Sequence, residues 1–286
     1  MRRFNIVEPR SIEDACKALV SDDETKLIAG GTALLILIKH GILLPKTLIN
    51  LKKINGAAGI SFDPRSGLRI GGLATILEVE SSQVVRQHYP LLATACHVVA
   101  NIRIRNMATI GGNLAHADSQ SDPPAALVAL DASVELSRRD GKRTVKLADF
   151  LIGSYETSLA RDEILTALTV PPPAANSKGI YLKFTTRSSE DRPCAGVAAW
   201  VSRANESASQ ARIVVGAVSP APLVLSEPLS AGQHLTAEMI GDISRRAAAA
   251  VDPIDDLRGP AAYKRQIVQV LVRRALNQCV AEGELA

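Results

Sequence analysis

The first block of the chain alternates short apolar runs with glycine breaks, a pattern that predicts strand, turn and helix in succession. TKLIA (25–29) predicts a strand that a glycine pair ends. ALLILIKHG (33–41) predicts a helix with Thr32 as its N-cap and Gly41 at its C-terminal stop. Because this helix lacks a polar face, we expect it to be buried on most sides. TLINL (47–51) predicts a second strand.

The middle of the chain contains several helix signals. After the strand-like run LRIGGL, TILE (75–78) has the spacing of a capping box. A helix is predicted within YPLLATACHVVANI (89–102), beginning after the proline. Another is predicted in SDPPAALVAL (121–130), where Ser121 or Asp122 supplies the cap and a proline opens the first turn.

The second half of the chain reads as strands followed by helices, which indicates an α+β layer arrangement. SVELSRRDGKRTVKL (133–147) predicts a hairpin that turns at Asp140-Gly141, and EILTALTVP (163–171) predicts a strand. PPPAANSKG (171–179) predicts a linker. The strand-like and helical runs beyond it are YLKFTTRSS, AGVAAWVSR, ARIVVGAVS, AEMIGDISRRAAAAV and AAYKRQIVQVLVRRALNQCVA.

Composition narrows the functional class. Aromatic residues make up 3% of the 286 residues and Trp200 is the single tryptophan, so the core must be aliphatic. The formal charge of +4 is scattered, without the basic stripe and stacking aromatics of a nucleic-acid binder. The longest apolar run, ALLILI (33–38), is too short for a transmembrane segment, and acidic residues near the start argue against an export signal. We expect a cytoplasmic protein that binds no nucleic acid.

The usual catalytic and metal-binding motifs are absent from the sequence. Four cysteines are dispersed without a CxxC pair, and no HExxH, GxSxG or Walker A pattern occurs. We therefore predict no metal ligand and no catalytic side chain, and expect the chemistry to belong to a bound cofactor.

Two Gly-Gly bends provide the chemical signal. The first bend, AGGT (29–32), and the second bend, TIGGN (109–113), can each expose successive main-chain N–H groups that attract anions. Two such sites suit a pyrophosphate, although either bend alone could be a plain turn. The spacing excludes the GxGxxG pattern of a Rossmann fold.

Two charged positions remain ambiguous from the local pattern. Asp122 could accept a hydrogen bond from a sugar hydroxyl, but a plain helix cap is the simpler interpretation. Lys183 and Arg187 fit a solvated strand face, with Tyr181, Lys183 and Thr185 on one side of the strand. Arg103 and Arg105, just before the second bend, could attract phosphate or simply mark an exposed helix end.

The order of the two bends, together with KLIAGGTALLILIKHG and IRNMATIGGNLAHADSQSDPPAALVALDASVEL, resembles the FAD-binding medium subunits of molybdenum hydroxylases. Carbon monoxide dehydrogenase and xanthine dehydrogenase are members of this family. The similarity extends over nearly the whole chain. It implies a vanillyl-alcohol-oxidase (PCMH-type) fold, in which α+β FAD-binding subdomains at 1–56 and 57–174 are followed by a C-terminal α+β domain, 175–286, that covers the flavin.

The resemblance also implies a set of FAD contacts. The first loop wraps the pyrophosphate, the second contacts phosphate and the adjoining sugar chain, Asp122 is a further contact, and Leu165 and Lys183 lie near the isoalloxazine. The implied residues are Ile28, Ala29, Gly30, Gly31, Thr32, Ala33, Leu34, Thr109, Ile110, Gly111, Gly112, Asn113, Asp122, Leu165 and Lys183. Ala33 departs from the family because a polar residue is common there, and RPCAG after Asp191 is more polar than usual.

The implied function is an electron-transfer oxidoreductase subunit with one FAD. Its implied partners are a large molybdenum-cofactor subunit and a small [2Fe–2S] subunit, assembled as a dimer of heterotrimers. FAD would pass electrons from the clusters to an external acceptor. Two alternatives stay open at this point: a self-sufficient flavin-dependent oxidase of the same fold, and a non-catalytic assembly protein.

Overall fold

The computed structural model describes residues 3–202, 209–229 and 235–281. The strands are β1 (Asn5–Val7), β2 (Thr25–Ile28), β3 (Thr47–Asn50), β4 (Ile60–Asp63), β5 (Gly67–Gly71), β6 (Ser133–Arg138), β7 (Gly141–Lys146), β8 (Leu151–Gly153), β9 (Glu156–Thr157), β10 (Ile164–Val170), β11 (Ser177–Phe184), β12 (Ala195–Ser202), β13 (Ser209–Gly216) and β14 (Leu223–Leu229). The helices are α1 (Ile12–Leu19), α2 (Leu34–Lys39), α3 (Ile76–Ser81), α4 (Gln83–His88), α5 (Pro90–His97), α6 (Ile102–Arg105), α7 (Ile110–His116), α8 (Pro123–Ala129), α9 (Leu147–Phe150), α10 (Ala237–Ala250) and α11 (Ala261–Ala281).

The first lobe consists of β1 to β3 with α1 and α2. Its strands pair in parallel in the order β1-β3-β2, which requires a crossover between successive strands, and α1 and α2 supply them. Ala15, Cys16 and Leu19 of α1 form its small core with Ile49 of β3. Ile164, at the start of β10, joins this core and connects the lobe to the next sheet.

The second lobe contains an antiparallel sheet of order β4-β5-β10-β6-β7, the small β8-β9 hairpin, and α3 to α9. The largest core cluster lies between this sheet and the helices that cover it, chiefly α3, α5, α7 and α8. Thr75 and Glu78 form the predicted capping box at the start of α3, with both reciprocal hydrogen bonds present.

The C-terminal unit consists of an antiparallel sheet, β11-β12-β13-β14, with α10 and α11 on one face. The opposite face packs against α5 and α8 of the second lobe. Every residue of α8 is buried, because the helix lies between two sheets. The resulting layers are sheet, helices, sheet and helices, which confirms the predicted α+β class. None of the described helices has the length and apolar character needed to cross a bilayer.

Helix α2 differs from its prediction. Its N-cap is Ala33 and not Thr32, and no side chain caps it. Only Ile38 is buried, whereas Leu35 and Ile36 are 36% and 53% exposed, so the expectation of burial on most sides is wrong. The helix ends near the left-handed Gly41 as predicted.

Other differences are small shifts at element ends. Arg138 pairs with Gly141, so the two-residue turn of the hairpin is Arg139-Asp140 and not Asp140-Gly141. The predicted helix at 89–102 ends at His97. Strand β11 starts inside the predicted linker, and β14, which contains Pro228, had no sequence signal as a strand.

Candidate functional site

A cavity of about 630 Å³ lies between the first and second lobes. This volume is within the range of small-molecule and cofactor sites. We call it the main cavity. The predicted site residues that line it are Ile28, Ala29, Gly30, Gly31, Thr32, Ala33, Leu34, Thr109, Gly111, Gly112, Asn113 and Leu165. Ile110 is fully buried in the core of the second lobe, and Asp122 and Lys183 lie elsewhere.

The two bends touch each other at Gly30. A Cβ atom added at Gly30 would lie 2.0 Å from the carbonyl oxygen of Met107 and 2.9 Å from Cα of Ala108. No side chain fits in that space, because real Cβ atoms do not approach backbone so closely. Glycine at this position is therefore what allows the first lobe to reach the second bend and close one side of the main cavity.

The first bend presents unused main-chain donors to the main cavity. Gly31 adopts a left-handed conformation, with φ of +73°. Within the described ranges, the N–H groups of Gly30, Gly31, Thr32 and Ala33 donate no hydrogen bond. The Gly31 carbonyl oxygen does accept one, from Leu35 N–H at 3.0 Å. Successive free N–H groups of this kind form a concave anion site.

The second bend uses its donors to hold itself in place. The N–H of Ile110 donates to the Ala74 carbonyl oxygen at 2.8 Å, and that of Gly111 donates to the Gly72 carbonyl oxygen at 2.9 Å. A Cβ at Gly111 would lie 2.6 Å from the same Gly72 oxygen. Gly111 thus permits close backbone packing between the bend and the segment before α3.

Thr109 satisfies the next two donors as the N-cap of α7. Its Oγ1 accepts from Gly112 N–H at 3.1 Å, and its carbonyl oxygen accepts from Asn113 N–H at 2.9 Å. The amide side chain of Asn113 is hydrogen-bonded to Ser121 Oγ. Unlike those of the first bend, the N–H groups of this bend are therefore already paired within the protein. Its glycines still line the main cavity, and a second anion site here stays a prediction.

Asp122 is a buried ion-pair partner and not a helix cap. It occupies the N-cap position of α8, but its side chain makes no capping hydrogen bond. Its carboxylate instead accepts from Tyr181 Oη at 2.8 Å and from Lys183 Nζ at 3.2 Å. Burial raises the pKa of Asp122 to about 6, against the opposing effect of the nearby Lys183 ammonium.

Lys183 is correspondingly sequestered, which corrects the solvated-face interpretation. Its side chain is 7% exposed, and Nζ also donates to the Val98 carbonyl oxygen at 2.8 Å. Tyr181 and Lys183 do share one strand face, as the alternation predicted. The Tyr181 hydroxyl fits only because Gly196 leaves room, since a Cβ there would lie 2.5 Å from it. Sequence reasoning did not identify Tyr181 as part of this network.

Lys183 lines a second cavity, of about 500 Å³, together with Arg105 and His97. Leu165 lines the main cavity, so Leu165 and Lys183 do not share a cavity. Arg105 is held beside Glu80, with its Nε 2.8 Å from a carboxylate oxygen, and is not an exposed helix end.

Several residues of the main cavity lacked a sequence signal. Asp22 and Lys26 come from the first lobe, and Arg161 from the loop before β10. Arg161 forms an ion pair with Asp23, which also lines the cavity. These residues meet only through the tertiary fold, so no local pattern could find them. His116 was detectable in principle, because it lies one helical turn beyond Gly112 on α7.

Comparison with known proteins gives matches over most of the chain. A family described as the FAD binding domain in molybdopterin dehydrogenase matches residues 2–173, and one described as the CO dehydrogenase flavoprotein C-terminal domain matches residues 180–279. The chain is 36% identical to the nicotine 6-hydroxylase medium subunit of Paenarthrobacter nicotinovorans over 96% of each chain. It is 33% identical to the carbon monoxide dehydrogenase medium chain of Hydrogenophaga pseudoflava, again over 96% of each.

The fold also matches a solved structure. A chain of carbon monoxide dehydrogenase from Hydrogenophaga pseudoflava, in a form that lacks the Mo-pyranopterin moiety of the molybdenum cofactor, superposes with a TM-score of 0.91. The identity is 31%, and the match covers 99% of this chain and 98% of that one.

Proposed function

The chain belongs to the family of FAD-binding medium subunits of molybdenum hydroxylases, and from this premise we propose how it holds FAD and what it does with it. It is an oxidoreductase subunit whose cofactor is FAD. We propose that the main cavity takes the pyrophosphate and the groups on either side of it. The predicted contacts at residues 28–34 and 109–113 and at Leu165 keep their assignment there, except for Ile110, which is buried in the core of the second lobe.

The observation that carries this proposal is the set of unused N–H groups in the first bend. Buried or half-buried main-chain donors almost always have partners in folded proteins. Four successive donors without an acceptor in the described chain therefore fit a ligand with several acceptor oxygens, and a phosphate is such a ligand. The four residues that carry these donors all line the main cavity, and left-handed Gly31 turns the chain among them.

The two bends have different roles in this proposal. The first bend would donate main-chain hydrogen bonds to phosphate oxygens, and the Thr32 hydroxyl could add one more. The second bend would present its glycine surfaces, which let the ligand approach the backbone closely. Leu165 would supply an apolar wall. Ala33 provides no side-chain contact, but its N–H is one of the four unpaired donors of the first bend.

Asp122 and Lys183 enter the proposal as a pair. The Lys183 ammonium has three N–H donors and uses two of them, one to Asp122 and one to the Val98 carbonyl oxygen. The third donor is left for a ligand in this proposal. A cation held at the flavin would favour a negatively charged reduced ring. We assign the pair to that part of the site, at the junction of the second lobe and the C-terminal unit.

The residues named above would hold FAD, and its redox chemistry would connect the [2Fe–2S] clusters of a small partner subunit to an external acceptor. A large molybdenum-cofactor subunit would oxidise the substrate, and the whole would form a dimer of heterotrimers. Within the chain we place the boundaries of the two FAD-binding subdomains and the C-terminal domain at 1–56, 57–174 and 175–286. In this proposal no side chain of the described residues acts on the organic substrate.

Titration of the purified, cofactor-free chain with FAD tests the proposal. We expect saturable binding near one FAD per chain, with quenching of flavin fluorescence as the readout. Absence of binding at any accessible FAD concentration would reject it. Oxidation of an alcohol by the FAD-loaded chain alone would favour the self-sufficient oxidase. Assembly of an active complex around a chain that cannot bind FAD would favour the assembly protein.

A further inference from the structure

His116 is a polar side chain at the main cavity that none of the interactions above uses. It is the last residue of α7 and lines the main cavity beside Gly112 and Asn113. The residue is half-buried, and among the described residues its imidazole makes no hydrogen bond. A half-buried imidazole usually has a partner for at least one ring nitrogen.

The aromatic ring of Tyr155 packs against the imidazole of His116. The two ring centroids lie 5.1 Å apart at an angle of 58°. Tyr155 is itself 62% exposed, so burial in a core does not explain its position. Its backbone is left-handed, with φ of +61°, and its N–H donates to the Ala117 carbonyl oxygen at 2.7 Å. Ala117 is also left-handed, with φ of +48°.

Left-handed backbone is unfavourable for residues other than glycine, and such strain gathers at functional sites. Here Ala117 follows His116 and ends α7, and it accepts the hydrogen bond from Tyr155, whose ring packs against the imidazole. This hydrogen bond between two left-handed residues holds the Tyr155 ring next to His116 at the cavity wall. That is the pattern expected of a residue that must meet a ligand in a defined orientation.

The charged groups that face His116 balance one another. Asp118 and Arg192 form an ion pair, with 2.9 Å between Nε and the carboxylate. Burial lowers the pKa of His116, while Asp118 raises it and Arg192 lowers it. A neutral imidazole offers one donor and one acceptor nitrogen, the combination that a hydroxyl group matches.

The position along α7 indicates which part of the ligand is near. His116 follows Gly112 by one helical turn, a rise of about 6 Å. If the pyrophosphate lies between the first bend and the glycine surface at Gly112, as proposed above, the ligand group one helical turn away is a sugar. We infer that His116 is a further FAD-binding residue that hydrogen-bonds a hydroxyl of the ribityl chain or the ribose, and that Tyr155 is its positioning residue. This inference rests on the proposed function.

The test is a set of FAD titrations on the full-length, cofactor-free chain. His116→Ala should raise the Kd for FAD about tenfold, the value of one hydrogen bond of good geometry. His116→Gln keeps a donor and an acceptor and should recover part of the loss. Tyr155→Ala should weaken binding severalfold, whereas Tyr155→Phe keeps the ring and should bind like the wild type. His40→Ala, at an exposed histidine that is not among the cavity-lining residues, is the matched control and should change nothing.

Titration with ADP distinguishes the two sugars. A parallel loss of ADP affinity in His116→Ala identifies the ribose, and an unchanged ADP affinity identifies the ribityl chain. If His116→Ala melts like the wild type and binds FAD with unchanged Kd, the inference is wrong while the proposed function stands. If the wild-type chain itself fails to bind FAD, the proposed function is wrong and the inference falls with it.

Discussion

In the first bend, the N–H groups of Gly30, Gly31 and Thr32 meet no acceptor in the described chain, whereas in the second bend those of Gly111 and Gly112 are both taken by the protein. The two bends have nearly the same sequence pattern and line the same cavity. The first bend leaves its donors unpaired, and the second bend uses its donors to fix its own shape. A Gly-Gly pair therefore marks a place where backbone approaches something closely, but the partner can be a ligand or another stretch of backbone.

Among the variants that test this contrast, Gly30→Ala should have the largest effect. A Cβ at this position meets backbone atoms of Met107 and Ala108, which cannot move aside as a flexible side chain would. We expect the free energy of unfolding to fall by about 3 kcal/mol or more and FAD binding to be lost, as measured by denaturant unfolding and flavin titration.

Gly59→Ala is the matched control, because the space around Gly59 is open and its φ is not left-handed. It should leave both measurements near the wild-type values. A Gly30→Ala variant as stable as this control, with normal FAD binding, would show that the contact between the bends does not shape the cavity.

The hydrogen bonds that hold the second bend reach Ser121, and the next residue, Asp122, has its own buried partners. The contribution of Asp122 to stability can be tested by changing the pH. The folded-state pKa of Asp122 is about 6, above the unfolded value of about 3.9, so the folded chain holds this proton more tightly. Its contribution to stability is therefore full below pH 4 and is lost as the pH rises through 6. Relative to Asp122→Asn, the wild type should lose about 2 to 3 kcal/mol of unfolding free energy between pH 4 and 7.

Urea unfolding of both proteins across that interval measures the effect. The difference between the two curves matters, because other carboxylates titrate equally in both. Curves that stay parallel from pH 4 to 7 would mean that Asp122 does not carry a raised pKa in the folded chain.

The smallest expected changes in stability and FAD affinity are those of variants at Thr32 in the first bend and Thr109 in the second. Thr109 caps α7 through its hydroxyl, so Thr109→Val should lower the unfolding free energy by about 1 kcal/mol in the absence of FAD. Thr32 caps nothing, so Thr32→Val should leave that stability unchanged but raise the Kd for FAD by about fivefold. Thermal unfolding without FAD and flavin titration separate the two. Equal stability losses in both variants would remove the contrast between the bends.

Much of the fold follows from short-range patterns in the sequence. The capping box at Thr75, the α8 start after Asp122 and the strand at β10 each depend on residues only a few positions apart. The prediction that α2 is buried was wrong because an apolar composition leads to burial only when another part of the same chain covers the helix. In this structure Leu35 and Ile36 face outward.

The site was predictable in its outline but not in its hydrogen bonding. Local pattern can place two glycine bends at element ends, yet the acceptors for the second bend come from Gly72 and Ala74, outside that pattern. Asp122 looked like a cap because its partners, Tyr181 and Lys183, lie 59 and 61 residues later. Long-range pairing of this kind leaves no trace in one sequence.

Helix α8 has a consequence for how readily the parts of the chain separate. Helix α8 is enclosed by both sheets. Separating the C-terminal unit from the second lobe would therefore expose an entire apolar helix to water. The first lobe, by contrast, joins its neighbour through a small core around Ile164 and the tight meeting of Gly30 with Met107. Of the two junctions, the one at the first lobe buries less apolar surface, and we expect it to open more readily in hydrogen exchange.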